Sequence, residues 1–149
     1  MKYSAILLAC MVTLNINAQA SEEKPAGLED LRWRYRVILI FAREPYLSNA
    51  LSNLDDLKAE IEERDIAWFV LGDNTLHTNY DGKLDDQLRE ELMDTYFTPG
   101  PTETAERLIG KDGTLKSRSI DLDLEATFGL IDQMPMRREE MRRKSDGSD

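Results

Sequence analysis

The side chains of this sequence that could do chemistry stand where an apolar run gives way to a helical pattern. Arg43, Glu44 and Tyr46 closely follow the run Val37–Ala42. An arginine next to the free backbone N–H groups at the start of a helix can bind an anion, so these three residues are our candidate ligand-binding site. Ser48 adds a hydroxyl, but an alcohol becomes a nucleophile only beside a base, and the sequence indicates none.

Simpler interpretations exist for this site and for the only histidine. Arg43 could form an ion pair with Glu44 or Glu103 instead of binding a ligand. His77 stands in a turn-rich stretch, and a zinc site would need several further nitrogen or sulfur ligands. Asp73 and Asp81 could add oxygen ligands beside His77, but nothing in the sequence fixes the geometry of this stretch. We therefore predict no metal site and no cofactor.

A basic cluster near the C-terminus is a second candidate surface. Its arginines are Arg137, Arg138, Arg142 and Arg143. The simpler interpretation is a solvated segment, neutralised by neighbouring glutamates at helical i, i+4 spacing. The alternative is that these arginines dock onto an acidic partner or onto another copy of this chain.

The overall charge excludes two classes of partner. The 149 residues carry a formal net charge of −10, so the chain should repel nucleic-acid phosphates and anionic membrane surfaces. With 41% hydrophobic and 32% charged residues, the composition is that of a globular protein, and the length predicts one domain. The expected partner is an unidentified protein or small ligand.

The N-terminus has the pattern of an export signal. Lys2 precedes a mostly apolar stretch, and Ala18-Gln19-Ala20 has the small residues of a signal peptidase site. The apolar stretch is about half as long as a membrane span. We predict a signal peptide over residues 1–20, cleavage between Ala20 and Ser21, and a periplasmic or secreted protein that does not span the membrane.

The only cysteine, Cys10, lies inside this signal. Cleavage after Ala20 removes it, so the mature chain would have no thiol and no disulfide. The alternative is a lipoprotein that is cleaved before Cys10 and anchored through it, although the segment preceding Cys10 is short for a signal.

The elements that position the candidate residues begin after a polar, flexible leader over residues 21–30. We place the folded domain over residues 31–134. Leu31–Arg36 alternates apolar and basic residues, which predicts a short strand or an extended approach to one. Val37–Ala42 is apolar without alternation, which is typical of a central strand covered on both faces.

A βαβ unit follows from the next patterns. Apolar residues at helical spacing from Leu47 to Ile61 predict an amphipathic helix of about four turns, with Pro45 in its first turn. Ile66–Leu71 predicts a second buried strand, parallel to the first. Residues 72–83 are rich in turn formers and predict a loop.

The second half of the chain predicts a helix and then a hairpin. Leu84–Tyr96 has helical spacing and is followed by prolines. Two strand-like runs, Glu106–Gly110 and Leu115–Ile120, flank Asp112-Gly113, and Asp-Gly between strands is a strong hairpin signal.

A third helix over Leu124–Met134 completes the pattern, with Asp121 or Asp123 as its N-cap. Pro135 should stop or kink it, because proline has no N–H to donate. The remainder, 135–149, is a charged C-terminal extension. The order β-α-β, α, β-β-α predicts an α/β, thioredoxin-like fold, with a central mixed sheet and helices on both faces.

Two stretches resemble a known family. RLIGKDGTLK at 107–116 and IDQMPMRREEM at 131–141 are similar to the C-terminal signatures of the domain of unknown function 4174, and WRYRVILIF at 33–41 resembles its first strand. The resemblance spans about residues 28–143. It implies an exported bacterial protein with a thioredoxin-like fold related to peroxiredoxins, and no established activity.

Redox members of this fold carry a nucleophilic cysteine at the start of the first helix, where backbone N–H groups lower the thiol pKa. Here that place reads REPYLSN, residues 43–49, with neither Cys-x-x-Cys nor Thr-x-x-Cys. In redox members of this fold, a cis proline usually precedes the first strand of the hairpin. This sequence has Thr104-Ala105 near that place instead. We therefore predict a non-enzymatic binding module that lacks redox cysteines. The alternative is an enzyme of unidentified, non-thiol chemistry at Arg43, Glu44 and Tyr46.

Overall fold

A mixed sheet of five strands, in the order β3-β2-β1-β4-β5, forms the centre of the molecule. The computed structural model describes residues 24–147, so the predicted signal, its cleavage point and Cys10 lie outside the described residues. β1 and β2 are parallel, and the other neighbouring pairs are antiparallel. The strands are β1 (Arg36–Ala42), β2 (Ile66–Leu71), β3 (Leu76–Thr78), β4 (Thr104–Ile109) and β5 (Leu115–Ser119).

Helices cover both faces of the sheet, as the apolar run of β1 predicts. Alternate residues of β1 face opposite sides, and Leu39 and Ile40 belong to different core clusters with no exposed surface. On the Leu39 face packs α3 (Leu88–Tyr96), and on the Ile40 face pack α1 (Tyr46–Asp56), α2 (Lys58–Glu63) and α4 (Leu124–Asp132). The predicted α/β fold with its thioredoxin-like element order is confirmed.

The segment before β1 differs from its prediction. Leu28–Leu31 forms a short 3₁₀ helix, and Trp33 adopts a left-handed backbone with φ 66°. The N–H groups of Arg34 and Tyr35 both donate to the Leu31 carbonyl, and the Trp33 N–H donates to the Lys111 carbonyl of the hairpin turn, so this segment forms a turn rather than a strand. The prediction of an extended Leu31–Arg36 is therefore wrong except at Arg36.

Two further predictions are wrong in detail: one predicted helix is divided in two, and one predicted loop contains a short strand. The helix predicted over Leu47–Ile61 is broken at Leu57, between α1 and α2, although its apolar face continues across the break. Residues 72–83 are not all loop, because β3 pairs with Phe69–Leu71 along the outer edge of β2. A strand of three residues is too short to give a periodic signal.

The second half of the chain matches its pattern closely. The hairpin β4–β5 turns at Asp112-Gly113, where Gly113 has φ 77°. Asp123, not Asp121, caps α4 by accepting the Ala126 N–H at 2.9 Å. The predicted second helix begins later than expected, at Leu88, because Asp85 accepts the Gln87 N–H in a turn that precedes it.

Beyond α4 the chain breaks at Pro135, as predicted, and continues as α5 (Pro135–Asp146). This helix folds back onto the domain: the Arg137 side chain is 1% exposed, and Glu140 forms an ion pair with Arg36 at the start of β1. At the other terminus, Ala26 forms an isolated bridge with Leu84, so part of the predicted leader also contacts the domain. Within residues 24–147, no helix combines the length and apolar character of a bilayer span.

Candidate functional site

The β1–α1 junction is held by Arg43. Its Nε donates to Asp73 Oδ1 at 2.9 Å, and its Nη1 donates to the Thr102 carbonyl at 3.1 Å. The Arg43 backbone N–H also donates to the Glu103 carbonyl. The expected alternatives, ion pairs with the carboxylates of Glu44 or Glu103, are not formed.

This arrangement joins three segments at one end of the sheet: the end of β1, the loop between β2 and β3, and the loop before β4. The Arg43–Asp73 pair is solvent-exposed, with side chains 51% and 63% accessible. An exposed pair contributes about 0.2–1 kcal/mol, so it orients the guanidinium more than it stabilises the fold. The guanidinium also lies 5.6 Å from the centre of the Phe41 ring.

Glu44 and Ser48 form a contact that the sequence argument missed. The Ser48 hydroxyl lies 3.0 Å and 2.9 Å from the two Glu44 carboxylate oxygens. The i, i+4 spacing was the available signal. A carboxylate alone is too weak a base to generate an alkoxide, a task that enzymes give to a histidine or lysine. The only histidine, His77, lies in β3 opposite Val70.

Tyr46 is the candidate residue whose side chain is not held by a neighbouring side chain. It begins α1, and its side chain is exposed. Next to it, the Leu47 N–H donates to the Arg43 carbonyl, so one of the donors that could have bound an anion is already used. Ligand binding by Arg43, Glu44 and Tyr46 stays a prediction, and Tyr46 is the one of the three whose side chain forms no hydrogen bond or ion pair within residues 24–147.

The candidate metal ligands do not form a site. Asp73 is bound to Arg43, and His77 pairs within the sheet. Within residues 24–147, no group of three or more histidine, cysteine, aspartate or glutamate side chains is placed to hold a metal ion.

The basic cluster divides into an inner and an outer part. Arg137 is buried and donates to Glu63 at 2.6 Å and to Asp132 at 3.1 Å, so it is not part of an exposed surface. The Arg137 hydrogen bond lowers the pKa of the Glu63 carboxyl. Arg142 and Arg143 are exposed and both pair with Glu139; Arg138 is also exposed. Docking through these three outer arginines stays a prediction.

A buried polar network, not foreseen from the sequence, joins the start of β1 to α5. The Arg36 side chain is 1% exposed, lies 3.1 Å from Glu140 and donates to the Arg64 carbonyl. Lys111 of the hairpin donates to both Glu140 and Asp65 at 2.8 Å. The network brings together the two stretches, 107–116 and 131–141, on which the family resemblance rests.

A second buried polar group lies between β4 and α4. Glu106 is 2% exposed, and the Thr127 hydroxyl donates to its Oε1. Its Oε2 has no hydrogen-bond partner among residues 24–147. Burial raises the pKa of the Glu106 carboxyl to about 6, although the Thr127 hydrogen bond acts in the opposite direction.

Comparison of the sequence with known protein families agrees with the fold described above. The family model described as a domain of unknown function (DUF4174) matches residues 27–140, which is most of the chain. The chain belongs to the DUF4174 family. The match contains the β1–α1 junction, the buried network and the hairpin. Among curated proteins, none is similar enough to match this DUF4174 chain.

Several solved structures resemble this DUF4174 protein at low identity. An exposed lipoprotein thioredoxin from Streptococcus pneumoniae is 16% identical, with 72% of this chain and 90% of that chain covered and a TM-score of 0.46. The reduced 2-Cys peroxiredoxin of Plasmodium vivax is 15% identical, with 75% and 72% covered and a TM-score of 0.49. The mitochondrial 2-Cys peroxiredoxin of Plasmodium falciparum is 9% identical, with 82% and 84% covered and a TM-score of 0.47. These similarities say nothing about activity.

Proposed function

We propose that this DUF4174 protein is an exported binding module without enzymatic activity, which recognises a protein or small ligand on a scaffold of the thioredoxin type. The observation that carries the proposal is the composition of the β1–α1 junction. Where redox proteins of this fold place a reactive cysteine, this chain has Arg43 tied to Asp73 and Ser48 tied to Glu44. The groups that could react are thus engaged by neighbours within the chain.

Electron exchange would require a thiolate or a bound redox group. Cys10 is the only cysteine of the sequence, and cleavage after Ala20 would remove it. Export to the periplasm or the exterior is supported by the signal pattern over residues 1–20. A thiol-free chain can still use the rigid end of its sheet for recognition, because the loops that meet at Arg43 are fixed by hydrogen bonds.

An activity assay separates this proposal from its enzymatic alternative. The exported protein is tested for peroxide consumption and for disulfide reduction, with Arg43→Ala as the test variant. Arg118→Ala, an exposed arginine on the edge strand β5, serves as the matched control. We expect rates equal to the buffer for all three proteins. Turnover that survives purification and falls only in Arg43→Ala would establish the enzyme instead.

Binding at the junction is tested by crosslinking in the cell. A photoreactive phenylalanine analogue replaces Tyr46 in one strain and Arg118 in another, and captured material is identified by mass spectrometry. We expect a defined adduct at position 46 that is absent at position 118. The same set of adducts at both positions would mean that the junction is not the contact surface.

A further inference from the structure

A groove of about 670 Å³ lies at the start of β2, at the opposite end of the sheet from Arg43. It exists because β3 covers only half of the outer edge of β2. β3 pairs with Phe69–Leu71, which leaves Ile66–Trp68 without a strand neighbour on that outer edge, although β1 pairs with them on the inner one. The helical layer of α1 and α2 forms one wall, and the residues after β3 form the other.

The bare edge of β2 is closed by one side chain. Asn79 Oδ1 accepts the Trp68 N–H at 2.8 Å, and its Nδ2 donates to the Ile66 carbonyl at 3.0 Å. Asn79 therefore takes the hydrogen bonds that an added strand would use. This favours a small ligand in the groove over a peptide that extends the sheet.

The groove combines an apolar floor with an acidic rim. The floor is formed by the half-buried side chains of Leu51 and Trp68, above the buried Leu54 and Ile61. Four carboxylates stand around it with one lysine, namely Asp55, Glu62, Asp65 and Asp81 with Lys58. Asp65 is paired with Lys111, and Glu62 lies 3.9 Å from Lys58. Asp55 and Asp81, on opposite walls, have no side-chain hydrogen bond or ion pair within residues 24–147.

The carboxylates of the rim destabilise the folded chain when no ligand is bound. Asp55 and Glu62 stand in the last turns of α1 and α2, where the helix dipole is negative, and neither last turn contains a basic residue. Acids at a helix C-terminus are repelled by the dipole and favour a nearby cation. The carboxylates are separated by apolar surface, which a hydrated metal ion would not cover.

We propose that this groove binds a small linear polyamine. Its ammonium groups would pair with the carboxylates of the two walls, its methylene chain would lie against the half-buried Leu51, and Trp68 would attract an ammonium through its ring face. This proposal adds a ligand class to the proposed binding function, at a site separate from the β1–α1 junction. If the groove does not bind a polyamine, the proposed function at the junction is unaffected, so the two proposals are tested independently.

The test uses Trp68 as its own reporter. The chain has two tryptophans, and Trp33→Phe leaves Trp68 as the single indole; Trp33 is 64% exposed, so its replacement should not affect folding. In this background, spermidine is titrated at constant ionic strength, followed by tryptophan emission and by calorimetry. We expect saturable binding of one spermidine per chain with a change in Trp68 emission.

Variants and probes separate the groove from general attraction to an acidic protein. Asp55→Asn with Asp81→Asn should weaken spermidine binding by about two- to thirtyfold, because two exposed ion pairs are lost. Asp94→Asn, an exposed carboxylate on α3, should leave it unchanged. Magnesium chloride and 1,6-hexanediol, which supply the charge or the chain alone, should not reproduce the response.

Three results would overturn the proposal. They are an equal loss of affinity in Asp94→Asn, a magnesium titration that gives the same Trp68 response, and binding of an oligolysine peptide under conditions in which spermidine does not bind. The last result would make the groove a docking site for a basic protein segment. Thermal unfolding of the double variant is the control, and we expect its midpoint to be no lower than that of the parent.

Discussion

Replacing Glu106 by glutamine should make the protein more stable at neutral pH. Glu106 is 2% exposed between β4 and α4, and its carboxylate accepts a hydrogen bond from the Thr127 hydroxyl, with the Asp123 backbone as a further donor. Its Oε2 has no partner among residues 24–147. A buried carboxylate that accepts so few hydrogen bonds loses more hydration than it regains. Glutamine has nearly the same shape, keeps an oxygen for Thr127 and cannot ionise.

The size of the effect follows from the pKa. Burial raises the Glu106 pKa from 4.5 to about 6. One pKa unit corresponds to about 1.4 kcal/mol, so ionisation costs the folded state on the order of 2 kcal/mol. Because the folded pKa lies above the unfolded pKa, stability from this group is complete below pH 4.5 and is lost as the pH rises through 6. The Glu106→Gln protein should lack that loss.

Urea unfolding of both proteins between pH 4 and pH 8 measures this directly. We expect the difference in the free energy of unfolding to grow by roughly 1–2 kcal/mol in favour of Glu106→Gln across this range. The control is Glu125→Gln, an exposed glutamate of α4, which should follow the parent. A difference between parent and Glu106→Gln that does not change with pH would refute the reasoning, because the titration would then belong to other groups.

Three substitutions test other contacts that hold the fold. Glu140→Gln removes the charged partner of buried Arg36 and should lower the free energy of unfolding by roughly 2–4 kcal/mol in urea titration. Asp123→Ala removes the α4 cap and should cost about 1 kcal/mol, seen as a lower thermal midpoint. Gly113→Ala places a Cβ 2.6 Å from Arg32 at φ 77°, so calorimetry should show a loss of about 1 kcal/mol or more.

Each of these substitutions has an outcome that contradicts its reason. A loss below about 0.5 kcal/mol in Glu140→Gln would mean that Arg36 is not dependent on this ion pair. Asp121→Ala is the control for the cap and should be neutral, so equal effects at 121 and 123 would reject the assignment of Asp123. Gly100→Ala, in the loop before β4, is the control for Gly113→Ala, because its added Cβ would meet no heavy atom within 4 Å; equal losses at 100 and 113 would reject the argument from strain.

Much of the fold could be predicted from local pattern alone. β1 and β2 were evident because buried strands give unbroken apolar runs, and the hairpin was evident because Asp112-Gly113 suits its turn. β3 could not be predicted, since its three residues gain their pairing from β2 rather than from their own sequence. The break at Leu57 leaves the apolar face continuous, so periodicity gives no sign of it.

The site was only partly predictable for a different reason. Its residues were located by their position after β1, but Arg43 finds its partner Asp73 across the sheet end, which no local pattern encodes. The burial of Arg36 and Arg137 could not be predicted, because arginine is rarely buried without partners and the local sequence does not show those partners. Their partners include Glu140 for Arg36, far along the chain, so their burial depends on the tertiary fold.

The central claim is that this DUF4174 chain acts by binding, without a thiol, and the intact mass of the exported protein tests it most directly. The protein is recovered from the periplasm or the medium, exposed to peroxide or to buffer alone, then treated with a thiol-alkylating reagent and weighed. We predict a chain that begins at Ser21, takes up no reagent and is unchanged by peroxide. A chain that retains Cys10, is alkylated there after buffer alone, escapes alkylation after peroxide and regains it when a reductant is added would contradict the account.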